Sequence, residues 1–67
     1  MTYEQRSYIL SKYPQAESWG QSVRDENGCF LFAIYGVYVP NEFVDNVTNI
    51  LEGKFRTFDY GPDTLII

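Results

Sequence analysis

The sequence predicts an α+β domain, a small antiparallel sheet of three or four strands with two helices in the order α-β-β-α-β-β. Three observations carry that reading. Asn27-Gly28 separates two strand-like runs, a five-residue apolar stripe at helical spacing follows them, and Gly61-Pro62 divides the remainder into a second hairpin.

Thr2 and Gln5 have the spacing of a capping box, in which a hydroxyl and an amide each satisfy a free backbone N–H. A helix over residues 3–12 follows, with Tyr3, Leu10 and Tyr13 near one face and Ile9 at its edge. Pro14 forces Tyr13 out of helical geometry and ends it.

Trp19, Gln21 and Val23 alternate with Ser18, Gly20, Ser22 and Arg24, which is strand periodicity. Asn27-Gly28 suits a two-residue type I′ turn, where both central residues need positive φ. Residues 29–39 are nearly all apolar, as in a strand covered at least partly on both faces. With Asn27 and Gly28 as the loop, Val23 faces Phe32, Gln21 faces Ile34, Arg24 faces Leu31 and Trp19 covers Gly36. The other face, carrying Leu31, Tyr35 and Val37 beside small or polar neighbours, reads as the wetter side.

Pro40 can open a second helix at its first position, and Phe43, Val44, Val47, Ile50 and Leu51 form its apolar stripe. Gly53 reads as its C-terminal cap. Residues 54–59 and 64–67 read as strands joined by Tyr60-Gly61-Pro62-Asp63, with Phe58 in the core.

At 67 residues the chain forms one domain with a small core, and its aromatics, 18% of residues, supply much of the apolar area. A net charge of −4 disfavours nucleic acid and anionic membranes as direct ligands. Cys29 has no partner for a disulfide, and no signal peptide or membrane-length apolar run is evident. The expectation from these features is a complete chain in the cytoplasm.

Histidine is absent, which removes the commonest general base and metal ligand, and no glycine loop is built to cradle phosphate. Cys29 reads as an inert thiol. Asp25 and Glu26, and Asp59 and Asp63, are the remaining carboxylate pairs, and turn-rich positions explain them without catalysis. Arg56, Phe58 and Tyr60 alternate near Lys54 as in a stacking platform for single strands, but with little positive charge to support it. The expectation is therefore a non-enzyme with no cofactor and no metal.

Two surfaces are candidates for partner binding. Glu42, Asp45, Asn49 and Glu52 fall on one side of the second helix as a polar, acidic ridge about 15 Å long. Leu31, Tyr35 and Val37 form an apolar patch to be covered either by a homodimer or another partner, or by the first helix with Tyr3, Leu10 and Tyr13 or the loop after it. The functional expectation is a small acidic protein-binding module. It would inhibit a larger protein by occupying a basic functional surface, such as a nucleic-acid-binding site, in the manner of phage-encoded inhibitors of host defence or immunity proteins. The alternative is a self-associating structural or accessory subunit using the Leu31, Tyr35 and Val37 face.

Overall fold

A computed structural model of the chain covers residues 1–67 and has the expected element order. Helix α1 spans Tyr3–Lys12, and strands β1 and β2 span Glu17–Arg24 and Phe30–Pro40. A 3₁₀ turn over Asn41–Phe43 leads into helix α2, Val44–Ile50, followed by β3, Thr57–Tyr60, and β4, Asp63–Ile66. The four strands form one antiparallel sheet in the order β1-β2-β4-β3.

The capping box forms as its spacing predicts. Thr2 Oγ1 accepts from the Gln5 N–H at 3.1 Å, and Gln5 Oε1 accepts from the Thr2 N–H at 2.8 Å. Ile9, expected at the edge of the helix's apolar face, is instead its one buried residue. It joins Val37 and Val39 of β2, Ile66 of β4, and Val47 and Leu51 from the α2 region in the core. Leu10, Tyr13, Val44 and Ile50 pack around that cluster. Both helices therefore lie on one face of the sheet.

Of the two coverings expected for the Leu31, Tyr35 and Val37 face, the helical one is observed. Val37 and Val39 are fully buried beneath the helices, so that end of the face is the core side, while Leu31, Ser18, Gly20 and Ser22 on the same face are exposed as expected. Strand β2 is apolar on both sides, so its own alternation does not choose between them. Its neighbour β1 does choose. Ser18, Gly20 and Ser22 stand opposite Val37, Tyr35 and Ala33, and the missing side chain at Gly20 leaves room on this face for a side chain from α1. Arg6 of α1 occupies the room above Gly20, with Nη1 3.4 Å from where a Cβ would lie.

The first turn also departs from expectation. Gly28 has φ of 83°, but no non-glycine residue has positive φ, so Asn27 does not adopt the left-handed conformation that type I′ demands. The Asp25 N–H donates to the Cys29 carbonyl at 2.9 Å and the Gly28 N–H to the Asp25 carbonyl at 3.0 Å, enclosing a three-residue loop. Asp25 Oδ1 accepts from the N–H groups of Asn27 and Cys29, both at 2.9 Å. The carboxylate thus does the work that a second left-handed residue would do. Pairing runs as expected from Trp19↔Gly36 to Val23↔Phe32, then shifts so that Arg24 faces Phe30 and Leu31 is left as a bulge.

Helix α2 is shorter than its apolar stripe. Pro40 remains in β2, opposite Asp63, and does not open the helix. Asn41 is tied to the last hairpin: its N–H donates to the Pro62 carbonyl at 3.0 Å and its Nδ2 to the Gly61 carbonyl at 2.9 Å. Leu51 is extended, with ψ of 128°, and still reaches the core; Gly53 then turns the chain at φ of 92°. The second hairpin closes on Gly61, φ 69°, followed by Pro62, whose ring fixes a negative φ, the sign pattern of a type II′ turn. Beyond β4, Arg56 and Ile67 exchange both backbone hydrogen bonds, at 3.0 and 2.9 Å.

Candidate protein-docking face

Two helices on one side leave the other side of the sheet without a covering layer. Strand pairing gives that open face a grid of side chains. Glu17, Tyr38, Leu65 and Phe58 stand in one row across the four strands, and Trp19, Gly36, Ile67 and Arg56 in the next. Gln21 and Ile34, then Val23 and Phe32, extend the face along the first hairpin. Asp63 and Tyr60 extend it toward the second turn.

The rows are held by contact within the face. Tyr38 and Tyr60 meet edge to face with centroids 5.7 Å apart. Leu65 is buried although no helix lies over it, in the row flanked by Tyr38 and Phe58. Phe32 is 53% exposed, Phe58 40% and Tyr60 55%, so large aromatic area faces outward here. With an aromatic side chain able to bury about 200 Å², these three rings alone offer roughly 300 Å². Trp19, Ile34, Tyr38 and Ile67, only partly covered, bring the face toward the ~800 Å² that each side of a stable interface contributes.

Charge is divided along this face. An open recess of about 680 Å³ is lined by Ile34, Phe55, Ile67, Gly53, Lys54 and Arg56, an apolar floor whose charged side chains are both cationic. A smaller depression toward the second turn is lined by Gln15, Glu17, Tyr38, Tyr60 and Asp63. One end of the face is therefore cationic and the other anionic.

The residues singled out in the sequence are dispersed. Glu42 lies in the 3₁₀ turn, Asp45 and Asn49 on α2, and Glu52 beyond its end; all are exposed, but they do not share one helix. The acidic ridge is therefore interrupted, because the chain leaves helical geometry at Leu51. Leu31 is exposed at the bulge, Tyr35 is half-buried against α1, and Val37 is inaccessible, so these three do not form a surface patch. Tyr35 packs edge to face on Tyr3 with Arg6 4.8 Å from its ring centre.

Cys29 is exposed beside the first turn. Asp59 and Asp63 stand opposite Thr64 and Tyr60, which directs them to different faces of the sheet. No three acidic or thiol side chains gather as a metal-holding group. No helix is long and apolar enough to cross a membrane. Comparisons with protein-family models, curated proteins and solved structures find no match to this chain.

Phe58, expected in the core, is instead 40% exposed on the open face. A signal was present. Two short helices cannot cover both sides of a four-stranded sheet, and residues 29–39 are apolar on both.

Proposed function

We propose that this chain is a small non-catalytic protein-binding module that docks through the open face of its sheet. The single observation supporting this reading is the uncovered aromatic surface of Phe32, Phe58 and Tyr60 around Trp19, Ile34 and Tyr38. Contiguous apolar area of this extent on a small domain is the usual mark of an interaction site. Aromatics at its centre are the residue types that dominate binding energy.

A finer form of the proposal is an inhibitor that covers a basic functional surface of a larger protein. The net charge of −4 and the exposed Glu42, Asp45 and Glu52 support it, since they would steer a cationic partner toward the domain. A self-associating subunit is the second reading, favoured by the presence of both charge signs on the open face itself.

The test compares partner capture by the native chain with capture by a face variant, Phe32→Thr/Tyr60→Thr, and by a helix-side variant, Glu42→Lys/Asp45→Lys. Threonine preserves strand propensity while removing the rings. Loss of capture in the face variant alone supports the open face as the docking surface. Full capture by a folded face variant would refute it.

A further inference from the structure

Counting side chains, the open face carries Glu17 and Asp63 against Lys54 and Arg56, a balance of zero, whereas the side chains of the whole chain sum to −4. The acidic excess therefore lies elsewhere. A strongly basic partner would find its charges on the other surfaces, while a surface that is neutral yet divided in sign complements an inverted copy of itself.

We propose that the open face is the interface of a two-fold homodimer, packed sheet against sheet, in which the anionic end of each copy enters the cationic recess of the other. The inference rests on the open face being the docking surface, and it specifies the occupant.

Register fixes how two copies would meet. A two-fold axis in the interface plane, running across the strands between the Tyr38 row and the Gly36 row, reverses strand direction and lays each row on the other. Tyr38 then stands over the partner's Gly36, against the partner's Trp19 and the partner's Ile67, whose side chains close over that glycine. Leu65 meets the partner's Ile67, and Phe58 lies against the partner's Arg56. One row further out, Asp63 and Tyr60 reach the recess rimmed by the partner's Lys54 and floored by the partner's Ile34 and the partner's Phe55.

The same contacts occur twice by symmetry. Aligned sheet packing needs two apolar faces about 10 Å apart, and this face supplies the aromatic area for it. Glu42 and Asp45, in the 3₁₀ turn and on α2, remain outside the interface.

Charge reversal with mixing tests the arrangement. Asp63→Lys and the double variant Lys54→Glu/Arg56→Glu are each checked for native circular dichroism and then examined by sedimentation equilibrium, alone and in equimolar mixture. The native chain is expected to be dimeric, and each variant alone to associate roughly tenfold or more weakly, because like charges meet in both symmetric contacts. In the mixture one contact is native and the other is fully reversed, so both are attractive and dimerisation returns.

A native dimer indifferent to both variants, or a mixture that stays monomeric, overturns the arrangement. A native chain that remains monomeric at all concentrations overturns the second copy as occupant. That last outcome leaves the docking face to be judged by the Phe32→Thr/Tyr60→Thr capture experiment, so the two failures are distinguishable.

Discussion

Trp19 Cε3 lies 3.2 Å from where a Cβ on Gly36 would stand, directly across the β1–β2 pair. The Ile66 carbonyl oxygen is closer still, at 2.7 Å, and Ile67 Cγ2 is at 3.1 Å. A methyl group here meets backbone that cannot rotate away. Gly36→Ala is therefore expected to cost about 1–3 kcal/mol, despite the higher intrinsic strand preference of alanine, because overpacking outweighs propensity. Urea denaturation should show a lower midpoint. Unchanged stability would mean that the β2–β4 approach is looser than the structure has it.

The Trp19–Gly36 contact was legible in the sequence because it depends on register alone, and alternation with the turn position sets register. The same holds for the helix start at Thr2 and Gln5, where the spacing itself is the mechanism. What could not be read was which side of β2 the helices choose. Both sides are apolar, and the deciding features are the small residues on β1 and the reach of Arg6, which are tertiary facts. The element order is legible in the sequence, whereas the burial of Val37 follows from the side the helices take. The end of α2 was also hidden, since Leu51 keeps its place in the core after helical geometry has stopped.

Ile9 is the residue through which α1 joins the buried cluster. Truncating a buried isoleucine to alanine costs about 2–5 kcal/mol, which is comparable to the ~3–5 kcal/mol that a core of this size supplies. Ile9→Ala should accordingly leave a large unfolded fraction at room temperature by circular dichroism. Ile9→Val should remain folded with a loss of about 1 kcal/mol. Equal stability of the alanine variant and the native chain would show that α1 is only loosely docked.

Asn27 and Gly28 separate two turn models by mutation. In a type I′ turn both positions are left-handed and alanine is costly at each. Here Gly28 alone has positive φ, and the Asp25 carboxylate holds the loop through two N–H groups. Asn27→Ala should be within about 0.5 kcal/mol of native, the usual range for a surface change. Gly28→Ala should lose about 1–2 kcal/mol, the penalty for a left-handed non-glycine residue. Asp25→Ala should also destabilise the hairpin by about 1 kcal/mol or more through its unpaired amides. Thermal melts of the three variants give the order directly, and a costly Asn27→Ala would restore the two-residue turn.

Arg6 connects α1 to the sheet through its planar group. Its Nη1 donates to the Trp19 carbonyl at 2.9 Å, and its guanidinium carbon lies 5.4 Å from the Tyr3 ring centre and 4.8 Å from that of Tyr35. Tyr3 and Tyr35 also meet each other edge to face, so the cation and both rings form one unit. A lysine keeps the charge but not the planar fork, and it cannot hold both ring contacts and the carbonyl in the same geometry. Arg6→Lys is therefore expected to lose about 1 kcal/mol, and Arg6→Ala about 2 kcal/mol as the carbonyl bond and both ring contacts disappear together. Combining Arg6→Ala with Tyr35→Leu tests the coupling: a double-mutant cycle in which the two losses simply add would show that the ring contact contributes nothing, whereas a loss smaller than the sum confirms that Arg6 acts through Tyr35.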